Sequence, residues 1–200
     1  FAPAYTAPLR VRCPLVLQIH DLIALENPEL CAARNAMQMR LLLPASIRRA
    51  DRIIVSCRYV QERVTARFGL PKAAVHCIPL GVDYHFFSTP SRLPAPLRHL
   101  EAVPYLLFVG NIEPKKNIPV LLDAYAALAE ETSIDLVIAG RPAWKSERLM
   151  KRLSSYRGPG RVHLTGRVDR DSLPALYQHA AGFVFPSTAE GFGLPVLEAM

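Results

Sequence analysis

Seven short, largely apolar runs punctuate the chain, at residues 15–19, 53–55, 75–78, 105–109, 136–139, 162–164 and 183–185, and they constrain the fold more than any other feature. Most lack the apolar–polar alternation of a strand with one wet face. They therefore read as strands buried on both sides, the pattern of a parallel sheet. Amphipathic stretches separate them. Val60, Val64 and Phe68 recur at fourfold spacing, with Ser56 as the expected N-cap and Gly69 as the stop. Leu121, Tyr125 and Leu128 repeat the pattern behind Asn117, with Pro119 tolerated in the first turn. Leu173, Leu176, Tyr177 and Ala180 form a third face behind Asp171. Strand alternating with helix specifies an α/β fold with right-handed crossovers.

Residues 84–103 break this rhythm with several prolines and with Ser88, Thr89 and Ser91 among them, following the turn-like Pro79-Leu80-Gly81-Val82-Asp83. This composition predicts a linker. The expected organisation is two Rossmann-like α/β domains with parallel sheets, both incomplete: 1–83, then the linker 84–103, then 104–200. The chain starts at Phe1 and ends within an expected helix at Met200, so the sequence reads as a piece of a longer protein.

The most informative stretch closes the chain: Phe183-Val184-Phe185-Pro186-Ser187-Thr188-Ala189-Glu190-Gly191-Phe192-Gly193-Leu194-Pro195-Val196-Leu197-Glu198. A strand runs into a glycine-bearing loop and then a helix. Ligands of parallel α/β sheets bind outside the carboxyl ends of the strands. Gly191 and Gly193 let the backbone approach a bound group, and a helix start offers unpaired N–H groups to a phosphate. Glu190 and Glu198 flank the turn with seven residues between them. Such carboxylates grip neutral sugar and ribose hydroxyls while a helix end and a cation hold the phosphates. The alternative is an ordinary strand-to-helix turn with two solvated glutamates.

The cation is expected after the run 105–109, in Gly110-Asn111-Ile112-Glu113-Pro114-Lys115-Lys116-Asn117. Lys116, with Lys115 beside it, sits at a strand end, where it can neutralise a diphosphate and stabilise it as a leaving group. Two solvated loop lysines are the alternative.

These strings resemble the donor-binding domain of the retaining glycosyltransferases of family 4, which have the GT-B fold, and within them the bacterial mannosyltransferase-like group. The resemblance is carried by residues 108–117, by Leu136-Val137-Ile138-Ala139-Gly140, by Val162-His163-Leu164-Thr165-Gly166-Arg167-Val168, and by the paired-glutamate segment. Gln18-Ile19-His20-Asp21-Leu22 and Ile78-Pro79-Leu80-Gly81-Val82-Asp83 resemble, less specifically, parts of the family's acceptor-side domain.

The resemblance implies site residues. Glu190, Lys116 and His20 would serve catalysis. Gly110, Asn111, Lys115, Val168, Gly191, Phe192, Gly193, Leu194 and Glu198 would bind the donor, with Glu198 at the ribose and the backbone of 192–194 at the diphosphate. Many relatives carry Arg where this chain has Asn111, so one phosphate contact departs from the pattern, with Lys115 as its substitute.

The implied activity is hexosyl transfer, with mannose as the expected sugar, from GDP-mannose or a UDP-sugar to an acceptor hydroxyl. The anomeric configuration would be retained, in glycan, lipopolysaccharide or exopolysaccharide synthesis. No cofactor beyond this donor and no metal are expected, since nothing has metal-ligand spacing. The expected acceptor is a glycan or lipid-linked. A GT-B-type nucleotide-sugar epimerase and a non-catalytic nucleotide-sugar-binding domain are the alternatives. A dinucleotide oxidoreductase is disfavoured, as no Gly-x-Gly-x-x-Gly follows a strand.

The net charge is +7, with Arg40, Arg48, Arg49 and Arg52 around one expected helix. They form either a solvated face or a surface attracted to anionic lipid headgroups or phosphorylated ligands. Nucleic acid is disfavoured, because no aromatic–basic pattern accompanies the charge. The four cysteines, Cys13, Cys31, Cys57 and Cys77, form no close pair, which fits a reducing, cytoplasmic setting. No apolar run reaches the roughly 18–20 residues of a membrane span, so the expected location is the cytoplasm or its membrane face.

Overall fold

The computed structural model describes residues 1–200 as two compact units. The first comprises Phe1–Gly81 together with Ala189–Gly193, and the second Val82–Thr188 together with Leu194–Met200.

In the first unit, β1 (Val16–Ile19) leads through α1 (Ile23–Glu26) and α2 (Ala33–Arg49) to β2 (Arg52–Val55). The chain then passes through α3 (Arg58–Phe68) to β3 (Val75–Cys77). The strands form a parallel sheet in the order β1-β2-β3, with Leu17 opposite Ile53 and Ile53 opposite Val75. Leu17, Ile19, Leu43, Ile47, Val55, Val60 and Val64 fill the core. Each such side chain contributes about 1.5–3 kcal/mol when fully buried. Gly69 ends α3 in the left-handed region at φ 61°, as its position after the apolar face predicts. The N-cap differs from expectation. Cys57 holds that place, its sulfur accepting from the Val60 N–H at 3.5 Å, while Ser56 is buried one residue earlier.

The second unit holds α4 (Tyr84–Ser88), β4 (Tyr105–Val109), α5 (Ile118–Leu128), β5 (Asp135–Ala139), α6 (Glu147–Ser154), β6 (Val162–Gly166), α7 (Leu173–His179), β7 (Gly182–Phe183) and α8 (Leu194–Glu198). Its sheet is parallel, in the order β6-β5-β4-β7. The continuous apolar runs have a direct explanation here. Successive strand side chains point to opposite faces, and both faces are covered. Phe108, Leu136 and Ile138 pack with Leu121, Leu122, Tyr125 and Leu153 from α5 and α6. Tyr105, Leu107, Val137 and Ala139 pack with Leu93, Leu100, Ala175 and Leu176 on the other face. Every residue of β5 is buried. Two phenols anchor the layers: the Tyr105 hydroxyl donates to the Leu176 carbonyl at 2.8 Å, and the Tyr125 hydroxyl to that of Arg161 at 2.9 Å. Burial first, then the nearby Asp135 charge, pushes the Tyr125 phenol up to about 12. Leu128, expected on the inward face of α5, is instead exposed, and Leu122 takes its place.

Residues 84–103 are not a free connector. They begin with α4, continue into a 3-10 helix (Ala95–Ala102), and bury Leu93 and Leu100 in the core of the second unit. Gln178 of α7 ties them down: its Nε2 donates to the carbonyls of Phe87 and Thr89, each at 2.8 Å, and its Oε1 accepts from the Ser91 N–H at 3.0 Å. The prolines mark the absence of long regular elements, not the absence of packing.

Candidate active site

In the second unit, the carboxyl ends of β4, β5 and β6 surround a cavity of about 330 Å³. Its walls include Val109, Gly110, Asn111, Gly140, Arg141, Arg167 and Val168. The expected residues Gly110, Asn111 and Val168 are thus brought together here. Arg141 and Arg167 join them without having been singled out from sequence. Two guanidiniums at one cavity supply the positive charge and forked donors suited to phosphate oxygens. They occupy the neighbourhood where the sequence has Asn111 in place of an expected arginine.

The strand ends are held by backbone pairing. Gly110 N–H donates to the Ala139 carbonyl at 2.9 Å, Ile112 N–H to that of Arg141 at 2.9 Å, and Gly140 N–H to that of Gly166 at 2.9 Å. Gly140 lies so close to Gly110 that a β-carbon there would overlap the Gly110 carbonyl, standing 2.7 Å from its carbon.

Lys116 is a buried lysine, 8% exposed. Its Nζ lies 5.1 Å from the centre of the Phe185 ring, and its Cε passes 3.5 Å from where a Gly110 β-carbon would stand. The stem therefore packs on apolar surface while the ammonium is presented beside the β4 loop. Lys115 pairs with Glu113 at 3.5 Å. Its carbonyl accepts from both Thr188 N–H, at 2.9 Å, and Thr188 Oγ1, at 3.2 Å. Asn117 starts α5 as expected, but from the left-handed region at φ 52° and without a side-chain cap bond. Ser187, just before Thr188, has a buried hydroxyl with no hydrogen-bond partner.

Glu198 closes α8 and accepts a 2.8 Å hydrogen bond from the Tyr177 hydroxyl of α7. Burial, followed by the charge and hydrogen bond of Glu198, holds the Tyr177 phenol well above its ordinary range. Tyr177 thus stays a donor at any working pH and fixes one carboxylate oxygen. Sequence periodicity places Tyr177 on an apolar helix face, and nothing in it signals this second role. Tyr177→Phe is expected to cost about 1 kcal/mol. The loss should appear as a lower midpoint in urea unfolding with an unchanged m-value.

In the first unit, His20 and Asp21 follow β1. His20 Nε2 lies 2.9 Å from the Pro3 carbonyl, and its ring meets Tyr5 edge-on at 5.5 Å. Asp21 accepts from the Tyr5 hydroxyl at 2.7 Å and from the Ile23 N–H at 2.9 Å, which fixes the turn after the strand. Burial and then the Asp21 charge raise the Tyr5 phenol. The segment Ala189–Gly193, carrying Glu190, Gly191 and Phe192, is counted with this unit. Gly191 packs on the His20 backbone, where an added β-carbon would overlap the carbonyl oxygen and stand 2.9 Å from its carbon. The Cys57 thiol donates to the Gly191 carbonyl at 2.9 Å. Gly193 turns the chain at φ 89°, and Leu194 begins α8 in the second unit. The paired-glutamate motif is therefore divided: Glu190 belongs to one unit and Glu198 to the other.

Comparison with known proteins adds the following. Residues 92–200 match the family described as Glycosyl transferases group 1, and residues 1–86 match Glycosyltransferase Family 4. The O-antigen chain mannosyltransferase B of Escherichia coli is 32% identical over 190 residues, covering 92% of this chain and 50% of that protein. The serotype-specific mannosyltransferase WbdA of Escherichia coli is 32% identical over 208 residues, covering 99% of this chain and 25% of its own length. The chain thus spans half or less of these curated relatives. Among solved structures, Anabaena Alr3699/HepE in complex with UDP and glucose matches with a TM-score of 0.72 at 23% identity, covering 94% of this chain and 50% of that one. WaaG, described as a glycosyltransferase involved in lipopolysaccharide biosynthesis, matches at 0.63 and 18% identity, covering 92% and 53%. At these identities the structural matches establish a shared fold.

Proposed function

Since the chain belongs to the glycosyl transferases group 1 family and has the GT-B type of fold, we propose that the protein is a hexosyltransferase. It transfers mannose from a nucleotide-diphosphate sugar to a hydroxyl of a glycan or lipid-linked acceptor, with retention at the anomeric carbon. The observation that carries this reading is the cavity at the ends of β4, β5 and β6, with Arg141 and Arg167 in its wall and Lys116 buried beside the same β4 loop. The mannosyl assignment leans on the two mannosyltransferase relatives. That the solved structure of Alr3699/HepE holds UDP and glucose supports a nucleotide-sugar donor.

The roles follow from chemistry. Arg141, Arg167, Lys115 and Lys116 offset the charge that grows on the departing diphosphate as the glycosidic bond breaks. Backbone N–H groups at Phe192, Gly193 and Leu194, and the close approach permitted at Gly110, serve the phosphate oxygens. Val168, with Asn111 nearby, lines the place of the nucleoside. Glu198, steadied by Tyr177, accepts from the ribose hydroxyls, while Glu190 and His20 address the sugar.

The test is a donor screen on the full-length protein by thermal unfolding, followed by product analysis. A bound donor at about a hundredfold its Kd adds about 2.7 kcal/mol of stability. GDP-mannose is expected to stabilise most, and NMR of the product should show the donor's anomeric configuration. If no nucleotide sugar stabilises the protein, the donor reading fails. A free isomerised sugar nucleotide would instead identify an epimerase.

A further inference from the structure

The second unit holds another cavity, of about 480 Å³, lined by Arg92, Arg98, Glu101 and His179. It lies at the other end of the sheet from the cavity described above. Residues 95–102 lead into the amino end of β4, and α7 returns the chain from the carboxyl end of β6 to the amino end of β7. Its walls are firmly held. Leu93 and Leu100, each 1% exposed, anchor the backbone beside Arg92 and between Arg98 and Glu101. Arg98 and Glu101 stand three residues apart in the 3-10 helix (Ala95–Ala102), and with three residues per turn both side chains leave from one face. Gln178, next to His179, ties Phe87, Thr89 and Ser91 to α7.

The lining carries two kinds of chemistry. Arg92 and Arg98 each bring a guanidinium, and neither is engaged in an ion pair, with Glu101 or with any other carboxylate. Glu101 and His179 bring acceptors. His179 Nδ1 lies 2.9 Å from the Ala175 carbonyl. A carbonyl can only accept, so Nδ1 carries the proton and Nε2 of the neutral ring is left as an acceptor. A bare inorganic anion would meet repulsion from Glu101, and a neutral sugar would give two guanidiniums no charge to meet. A ligand bearing both a phosphate and hydroxyls satisfies all four. We propose that this cavity binds a sugar phosphate, with Arg92 and Arg98 on the phosphate oxygens and Glu101 and His179 accepting from the sugar hydroxyls. The volume falls within the roughly 300–1,000 Å³ of small-molecule sites. The inference uses the second unit alone and does not rest on the proposed transfer reaction.

The full-length protein is titrated calorimetrically with glucose 6-phosphate and mannose 6-phosphate, and in parallel with inorganic phosphate and the two free sugars. At least one hexose phosphate is expected to bind about tenfold tighter than inorganic phosphate, or better, and the free sugars to give no measurable heat. The R92Q/R98Q variant should bind that hexose phosphate on the order of a hundredfold more weakly, since each arginine supplies a charged hydrogen bond. Glu101→Ala should lower the ratio of hexose phosphate affinity to inorganic phosphate affinity by roughly tenfold, because it removes an acceptor for hydroxyls and a charge that repels phosphate. A surface patch acting by charge alone would leave that ratio unchanged. Arg92, Arg98 and Glu101 are all exposed, and circular dichroism melts matching the parent will confirm that the variants fold. The R141Q/R167Q variant alters the other cavity and should bind hexose phosphate like the parent. The proposal is overturned if neither hexose phosphate binds more tightly than inorganic phosphate, if R92Q/R98Q binds like the parent, or if the Glu101→Ala ratio does not move. Binding lost in R141Q/R167Q but kept in R92Q/R98Q would also overturn it, since the ligand would then sit at the carboxyl ends of the strands.

Discussion

Lys116→Met in the full-length protein is expected to lower turnover by on the order of a hundred- to a thousandfold, with little change in the unfolding midpoint. Methionine keeps an unbranched apolar stem of similar length, so the packing against Phe185 and under Gly110 survives. What it removes is the positive charge. A charge placed in a largely water-excluded position, as the 8% exposure of Lys116 indicates, acts on a developing anion far more strongly than a solvated one. On the proposed function the loss should fall mainly on kcat, because a leaving diphosphate would carry more charge in the transition state than in a bound donor. Glu190→Ala tests the other end of the same idea and should remove transfer with the fold retained. Parent-like kcat in Lys116→Met would show that the lysine is a packing residue and that Arg141 and Arg167 carry the charge alone.

Gly140→Ala is expected to destabilise the second unit by about 3 kcal/mol or more, at the upper end of overpacking costs. The added methyl has nowhere to go. It would overlap the backbone of Gly110, and backbone cannot turn aside as a flexible side chain can. Relief requires β4 and β5 to part at their carboxyl ends, which breaks the Gly110–Ala139 hydrogen bond of 2.9 Å and distorts the wall of the cavity. Urea unfolding of the variant should show a midpoint shift with an unchanged m-value. A Gly69→Ala control strains only a φ of 61° in open space and should cost about 1 kcal/mol. Equal effects of the two would mean that β4 and β5 separate readily.

Much of this was readable from the residues because burial on both faces leaves a plain trace. Residues 105–109 and 136–139 are unbroken apolar runs for the reason that odd and even positions feed two separate cores. Elements set by local chemistry were also legible, such as the Gly69 stop. The cap of α3 was misplaced by one residue, since Ser is the better cap by type but Ser56 is buried before the helix and Cys57 stands at its start. The segment 84–103 was read as a linker because proline speaks to local regularity, whereas the docking of Leu93 and Leu100 depends on α7, some eighty residues away in sequence. The same limit applies at the site. Gly110, Asn111 and Val168, expected from a glycine at a strand end and from the family resemblance, lie together in the wall of the cavity. Arg141, Arg167 and the Tyr177 hydroxyl were not singled out, because their roles arise only when distant strand and helix ends are brought together.

The double hydrogen bond from Thr188 to the Lys115 carbonyl makes two loops into one rigid joint. The loop bearing both lysines and the stretch that leads to residue 188 are tied to each other at that carbonyl. The Thr188 amide proton, which donates to that carbonyl at 2.9 Å, is therefore a natural reporter of any change in the β4 loop.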